Sequence, residues 1–431
     1  MLTQTQTSDV HRVHDALDRM VKLPKSLAAA AFNRDGEFLV IVAMLMAMAV
    51  LAINMILPAY GQITDEFSLS SPAKAGLTVS LLYVGLAIGQ IILGPVSDSI
   101  GRIAALKIGL SIFLTGCIVA GLAPSFEILI LGQIIQGLGL GAPRVITLAL
   151  LRDRFSGEMM AKAMSFVMVM FVIAPTFAPY VGLAVSSAFG WRTLFVAYGV
   201  IGILLVAVIH FRLPETLPTN RRYAFRPRSL VSTFATVIRS KHAVGYAIAL
   251  GTISGPFIAY LNSSQQIFMF QYELGDSYPT VFAVLSLWLG AASFVNGKLV
   301  MTLGIERLVS FALTIIVLVS SVAGFYYFTQ TKNPPLMHFI GYMGAVLFCF
   351  GLLVSNLNAL AMKSLANAAG TGAAFVGALT TIISVPVAIF IGGFVSSSAF
   401  PVAIGFAVSG QVAIVVHIFL QRTGGKDSLI Q

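Results

Sequence analysis

Long apolar runs alternate with polar turns along almost the whole chain. About twelve of these runs reach the roughly 20 residues that an α-helix needs to cross a bilayer. The turns between them are short, except for one long stretch after the sixth run. The pattern therefore predicts twelve transmembrane helices, at residues 38–60, 73–95, 103–123, 126–150, 160–187, 191–213, 243–268, 279–302, 307–328, 336–362, 368–395 and 399–421.

The composition indicates that lipid surrounds most of the chain. Of its 431 residues, 58% are hydrophobic and only 10% are charged, and the mean hydropathy is +0.92. A soluble domain cannot bury that much apolar surface in a core. The two cysteines, Cys117 and Cys349, lie inside apolar runs far apart in sequence, which favours buried thiols over a disulfide or a metal site. We therefore predict an all-α integral membrane protein.

The distribution of basic residues predicts the orientation. The chain has 26 Lys and Arg and a net charge of +10. Lys74, Arg192 and Lys332 lie in turns on one side, Arg144 lies within a run, and the others occupy the two tails and the turns on the other side. Because Lys and Arg concentrate in cytoplasmic loops, we expect both termini in the cytoplasm. An even number of spans agrees with this orientation.

The long polar stretch divides the twelve runs six and six. This predicts two pseudo-symmetric six-helix bundles, one at residues 38–213 and one at 242–421, joined by a cytoplasmic linker at 214–241. Residues 1–37 and 422–431 are then the two cytoplasmic tails. The linker is rich in Arg, which favours anionic lipid headgroups over a nucleic-acid site. The N-terminal tail lacks the early apolar core of a signal peptide. Residues 10–27 fit either an amphipathic helix on the membrane surface or an unstructured tail.

A polar turn between the second and third runs carries candidate gating residues. It contains Gly94, Asp98, Gly101 and Arg102. A later pair of glycines with the same separation, at 297 and 304, repeats the pattern in the second half. Glycines allow close approach of helices, and an Asp near helix N-termini can accept their free N–H groups. The turn fits either an ordinary connection or a clamp that closes the cytoplasmic side, and its repetition favours the clamp.

Several segments together resemble the major facilitator superfamily, in particular its Bcr/CflA-type multidrug efflux branch. The signature turn between helices 2 and 3 is one of them, and the others match motifs of helices 1, 4, 5 and 6. They are GPVSDSIGR (94–102), AINMILPAY (52–60), QGLGLGAPRVITLALLRDRF (136–155), APTFAPYVG (174–182), GWRTLF (190–195) and LPETL (213–217). The resemblance implies a drug/proton antiporter of the bacterial inner membrane with the two-bundle fold. The second half matches mainly in helix number.

The departures from this branch concern charge. Asn54 stands where an acidic residue is common in the first helix, and Gln133 stands where the fourth helix usually has Arg. No Asp or Glu lies in the middle of any predicted span. A proton carrier inside the membrane usually needs a carboxylate or His with a shifted pKa. We therefore expect proton coupling to be weak or absent.

Arg144 is the most informative single residue. It precedes Arg152 by eight residues, which places it about 12 Å deeper in the membrane. Since Arg stays charged, it must reach water, a carboxylate, carbonyl groups or an anionic ligand. It fits a structural residue that extends toward the cytoplasmic face, or a functional residue in a water-filled cavity. In the second case, its charge favours anionic cargo over cations.

The other candidates also fit ordinary roles in helix packing. The substrate-binding candidates are Asn54, Tyr83, Gln133, Arg144, Tyr180, Asn262, Gln266, Trp288 and Asn356. The gating candidates are Gly94, Asp98, Gly101, Arg102, Asp153, Pro175 and Pro179. Pro175 and Pro179 predict a bend in the fifth helix, and the resemblance assigns them to its antiporter-type motif. Asn356 and Asn358 are two residues apart, so both cannot face one cavity fully.

The sequence favours transport over enzymatic chemistry. It has no Walker loop, no HExxH and no Cys/His metal spacing. We predict a secondary transporter, without metal or cofactor, that exports a small organic molecule or drug by alternating access. The alternatives are an uptake carrier or uniporter for a small anionic metabolite, and a transport-inactive sensor or scaffold. The expected partners are the substrate, the lipid bilayer and, if coupling exists, protons. Nucleic acid is not expected, and the expected state is a monomer.

Overall fold

The computed structural model describes residues 25–155, 157–222, 238–329, 334–363, 365, 369–395 and 398–427. These residues form twelve long helices: α1 (Lys25–Asn54), α2 (Leu77–Ile100), α3 (Arg102–Gly121), α4 (Phe126–Arg154), α5 (Gly157–Phe189), α6 (Arg192–Arg212), α7 (Lys241–Gln265), α8 (Tyr278–Leu303), α9 (Ile305–Thr329), α10 (Leu336–Lys363), α11 (Ala369–Gly392) and α12 (Phe400–Asp427). The predicted surface helix at 10–27 lies almost entirely outside the described residues, as does linker segment 223–237.

The helices agree with the predicted spans. Over the described residues, eleven helices are long and apolar enough to cross a membrane, and α5 contributes a further apolar segment at Phe177–Phe189. Each long helix corresponds to one predicted apolar run. The predicted all-α membrane fold with twelve helices is therefore confirmed. Because successive spans alternate in direction, both ends of the chain belong to one face, here called the terminal face.

The first apolar run is not the single helix predicted over 38–60. α1 ends at Asn54, and a 3-10 turn at Leu57–Ala59 leads into a short helix at Tyr60–Glu66. Pro58 lies in that turn. Proline has no N–H for a helical hydrogen bond, and its ring clashes with the preceding turn. The break leaves backbone groups at the face opposite the termini available to other partners.

The twelve helices pack as two bundles of six. In the first half, α4 packs against α2 and α3, α5 against α1, and α6 against α3. In the second half, α7 packs against α11 and α12, α9 against α12, and α10 against α8 and α9. The halves meet mainly where α2 contacts α11 and α5 contacts α8. These two contacts correspond to each other under exchange of the halves, as pseudo-symmetry requires.

Glycines bring α2 and α4 into backbone contact. A Cβ added to Gly85 or Gly89 would overlap the backbone of α4, and one added to Gly137 or Gly141 would overlap the backbone of α2. Small residues allow membrane helices to approach this closely. The glycine-rich part of α4 therefore serves packing within the first half.

The polar turn after α2 recurs after α8. Gly101 follows α2 with φ of +106°, and Gly304 follows α8 with φ of +79°. Glycine reaches this region without the steric cost that a Cβ imposes. The repetition predicted from sequence thus extends to the backbone. The packing differs, because a Cβ on Gly94 would meet Val145, whereas one on Gly297 would meet open space.

Candidate functional site: a cavity between the two halves

A cavity of about 270 Å³ lies between the two bundles. Its described lining residues come from α1, α2, α4 and α5 of the first half and from α7, α8, α10 and α11 of the second. Corresponding helices of each half therefore contribute to one site. The interface between the repeats is where transporters with internal repeats bind their cargo.

The wall from the first half contains four polar side chains beside six apolar residues. It includes Asn54 of α1, Tyr83 and Gln90 of α2, and Arg144 of α4. The Asn54 amide donates to the Val50 carbonyl oxygen of its own helix at 2.7 Å. Among the described lining residues, Arg144 alone carries a charge, and Tyr83 is close enough to interact with it electrostatically. The wall thus combines one permanent cation with neutral hydrogen-bonding groups.

The wall from the second half also mixes apolar and polar residues, and no charged side chain is among those described. Phe257 of α7 and Phe350 of α10 stack with ring centroids 4.4 Å apart and an interplanar angle of 22°. Thr380 and Tyr260 also line the cavity, and their buried hydroxyl groups lack a hydrogen-bond partner within the described structure. Stacked aromatic rings offer a flat apolar surface, and unpaired hydroxyl groups can bind a ligand or water.

Three of the nine substrate-binding candidates line the cavity: Asn54, Tyr83 and Arg144. Gln133 instead is fully buried outside the lining, and neither atom of its side-chain amide is hydrogen-bonded within the described structure. Tyr180 lies on α5 and donates to Thr280 of α8 at 2.9 Å. Its hydroxyl group therefore joins the two halves.

The candidates of the second half lie outside the cavity lining. Asn262 donates to Ser80 Oγ of the first half at 2.7 Å. Gln266 is buried at the start of a π-helical turn after α7. Trp288 is half exposed and packs against Gly344 and Phe348. Asn356 donates to Asn296 Oδ1 at 2.7 Å. Asn358 lines the cavity instead, which agrees with the expectation that both asparagines of α10 cannot face it.

Hydrogen bonds between the halves cluster at the face opposite the termini. Gln265 Oε1 accepts from the Gly61 backbone N–H at 3.1 Å, and Gln265 Nε2 donates to the Pro58 carbonyl oxygen at 2.5 Å. The broken end of α1 supplies both partners. Together with the Asn262 and Tyr180 bonds, this pair joins the two halves on that side of the cavity.

At the terminal face, three predicted gating residues lie together. The Arg102 guanidinium is 2.5 Å from Asp98 Oδ1 and, through Nε, 3.2 Å from Asp153 Oδ2. It also donates to Ser97 Oγ at 2.7 Å and is buried. Arg154 does not join this group, because it pairs with Asp35 at 2.6 Å. The cluster therefore connects α2, α3 and α4, all within the first half.

Sequence reasoning assigned no role to Glu215, which follows α6. Its Oε1 accepts from the Arg102 backbone N–H at 2.9 Å, and its Oε2 accepts from that of Ile103 at 3.2 Å. A carboxylate at a helix N-terminus satisfies free N–H groups and complements the helix dipole. A Cβ on Gly101 would overlap this carboxylate, which explains the glycine. The available signal was the acidic residue of the quoted segment LPETL.

Of the remaining gating candidates, Pro175 lines the cavity and Pro179 is buried. Both lie inside α5, which runs from Gly157 to Phe189. Beyond them, a Cβ on Gly182 would overlap the backbone of Met55, just after α1. This part of α5 therefore packs closely against the broken end of α1.

The sequence matches known transporters over most of its length. The family model described as Major Facilitator Superfamily matches residues 39–388. An uncharacterised MFS-type transporter of Bacillus subtilis (strain 168), YdgK, is 30% identical over 347 residues, 79% of this chain and 84% of the relative. The bicyclomycin resistance protein homolog of Haemophilus influenzae is 27% identical over 279 residues, 64% of this chain and 70% of the relative.

The fold is also shared with solved transporter structures. The crystal structure of a D-xylose–proton symporter superposes with a TM-score of 0.70 at 14% identity, covering 89% of this chain and 96% of that one. This likeness concerns the arrangement of helices. With a family model that matches most of the sequence and a relative that is 30% identical over 79% of it, this chain belongs to the major facilitator superfamily of membrane transporters.

Proposed function

We propose that this protein is a secondary transporter that exports a small organic molecule from the cytoplasm by alternating access. The observation that carries the proposal is the cavity between the halves, bounded on one side by hydrogen bonds between them. Relatives named for drug resistance agree with the outward direction. Transport of this kind requires the two bundles to rock about a fixed central site.

The excess of Lys and Arg at the terminal face supports placing that face in the cytoplasm. Closure at the opposite face then corresponds to the state that loads cargo from the cytoplasm. In the other state, we propose that the cluster of Asp98, Arg102 and Asp153 helps to close the cytoplasmic side. The position of the cluster supports this role, because it lies at the terminal face, where the two halves would have to meet.

The cavity supports transport without a proton carrier. No carboxylate is present among its described lining residues, and Asn54 occupies the wall position where the resemblance expects an acid. An amide does not titrate in the physiological range, so it cannot bind and release a proton during a cycle. The direction of net flux then follows the electrochemical gradient of the cargo itself.

The test is flux in two settings. Cells without their own drug exporters, preloaded with a fluorescent substrate, should lose it faster when they express this protein, and purified protein in liposomes should carry the same compound. A matched Asp98→Asn protein should bind substrate but carry little of it. Faster entry of the substrate without faster loss would indicate uptake, and absence of flux with intact binding would indicate a sensor or scaffold.

A further inference from the structure

Arg144 brings a positive charge to the cavity, and no acidic side chain among the described lining residues balances it. Arg keeps its proton under physiological conditions, and an unpaired charge in a poorly solvated site is costly. Such a site is stabilised when a ligand anion replaces the missing carboxylate.

The neighbouring groups suit the same ligand. Tyr83 and Gln90 belong to the same wall and can each donate a hydrogen bond. Gln90 is largely buried, with 9% of its surface exposed. A guanidinium with neutral donors on the same wall matches a carboxylate, sulfonate or phosphonate, whose several oxygens accept hydrogen bonds together. These three side chains therefore suit an anionic head.

The second half offers apolar surface for the body of such a ligand. The stacked rings of Phe257 and Phe350 belong to its wall, where Leu250 and Leu261 add apolar surface. A ligand that spans both walls must carry its charge at one end and an aromatic or aliphatic group at the other. The volume of about 270 Å³ limits that ligand to a small molecule.

From this division of the cavity, we propose that its ligand is a small amphipathic organic anion. The anionic head binds Arg144 with Tyr83 and Gln90, and the apolar body packs on Phe257 and Phe350. This inference rests on the proposed function and specifies the class of cargo. It sets the protein apart from a carrier of lipophilic cations, because a fixed positive charge in the cavity repels them.

The experiment measures how tightly purified protein binds three probes, each of which carries a different group on the same naphthalene ring system. They are naphthalene-2-sulfonate, the neutral sulfonamide, and the trimethylammonium cation. Because a hydrogen-bonded charge contact contributes roughly 1.5–3 kcal/mol, we expect wild type to bind the anion about tenfold to a hundredfold more tightly than the others. Arg144→Gln should remove that preference and leave affinity for the neutral probe nearly unchanged. Arg144→Lys should retain part of it.

Two control variants make the assignment specific. Arg152→Gln removes an exposed charge from the same helix and should leave all three affinities unchanged. Phe257→Ala should weaken all three probes alike, since each presents the same body. Equal binding of the three probes by wild type, a preference for the cation, or an undiminished anion preference in Arg144→Gln would overturn the inference.

Flux separates this inference from the proposed function. Binding of the anion without flux in liposomes would support the site and contradict transport. Flux of the neutral or cationic probe, with no preference for the anion, would support transport and contradict the site. Wild type alone decides the charge preference, so the result does not depend on the stability of any variant.

Discussion

The Glu215 carboxylate binds the first backbone N–H group of α3, with its Oε1 2.9 Å from the Arg102 nitrogen. Its other oxygen accepts from Ile103, and the Arg222 guanidinium is 3.9 Å away. The start of the linker is thereby fixed to the turn that also carries Asp98. The segment that leaves the first bundle after α6 is therefore hydrogen-bonded directly to the turn with the candidate gating residues.

Replacing Glu215 with Gln should destabilise the protein. The amide keeps one acceptor and loses the charge that complements the helix dipole, so we expect a loss of about 1 kcal/mol. Thermal unfolding of purified protein measures the change. Glu306→Gln, in the first turn of α9, is the matched control, because it also removes a charge from a helix start but leaves the two hydrogen bonds of Glu215 to α3 in place. We expect a smaller loss from Glu306→Gln. An equal effect of the two substitutions would contradict a specific role for Glu215.

Replacing Asp98 with Asn should abolish most transport while preserving the fold. The substitution removes the charge that pairs with Arg102 at 2.5 Å, and thereby alters the balance between the two access states. Initial rates of substrate flux in liposomes measure the loss. Asp65→Asn removes an exposed carboxylate at the opposite face and should transport normally. Wild-type rates in well-folded Asp98→Asn would rule out the gating role.

Replacing Gln265 with Ala should favour opening at the opposite face. It removes the two hydrogen bonds to Gly61 and Pro58, each of which contributes about 0.5–1.5 kcal/mol. Their loss should change the ratio of the state closed at the opposite face to the state open there by roughly tenfold. Spin labels at Ser70 and Ser277, one in each half, should report a larger population at long distance.

Gln62 provides the control for this experiment. Its side chain donates to the Ser186 carbonyl oxygen at 3.0 Å, within the first half and near the same face. Gln62→Ala therefore removes a comparable bond without releasing one half from the other. If both variants shift the distance distribution equally, the effect reflects general loosening, and Gln265 has no particular part in closure.

Wild-type transport should not acidify or alkalise the liposome interior, because no carboxylate lines the described cavity. An entrapped pH-sensitive dye measures this during substrate flux. Asn54→Asp should introduce coupling, since it places a titratable group in the cavity wall. A proton countercurrent in wild type that one acidic residue controls would refute the prediction and identify the carrier.

The sequence was sufficient for the number of spans and for two local features. Twelve apolar runs are visible without any structure, and the four-residue separation of Asp98 and Arg102 keeps them close across the turn between α2 and α3. Arg144 was notable because a charge inside an apolar run needs a partner. In each case the signal is a polar residue that contrasts with its surroundings.

The cavity surface and the contacts between the halves were harder to predict. A membrane helix is apolar on both its lipid-facing and its inward-facing sides, so the pattern does not reveal that Phe257 and Phe350 face one another. The partners of Gln265 are more than 200 positions away, at a helix break that the hydropathy pattern concealed. Trp288 and Asn356 are outside the cavity lining, because their helices turn these side chains toward other residues of the second half.

Arg144 has a consequence for how voltage acts on the transport cycle. If the cavity binds an anion, the empty protein carries an extra positive charge there and the loaded protein does not. In the proposed orientation, with the terminal face in the cytoplasm, an interior-negative potential favours the empty cavity facing inward, by up to about 2.3 kcal/mol per charge for each 100 mV. The loaded cavity is indifferent to the field. We therefore expect voltage to return the empty carrier to its loading side, so that export of an anion is electrogenic. In liposomes, exchange of internal for external substrate involves only the loaded carrier, so an imposed potassium diffusion potential should leave exchange by wild type unchanged. In Arg144→Gln the loaded carrier keeps the charge of the anion, and the potential should change its exchange rate.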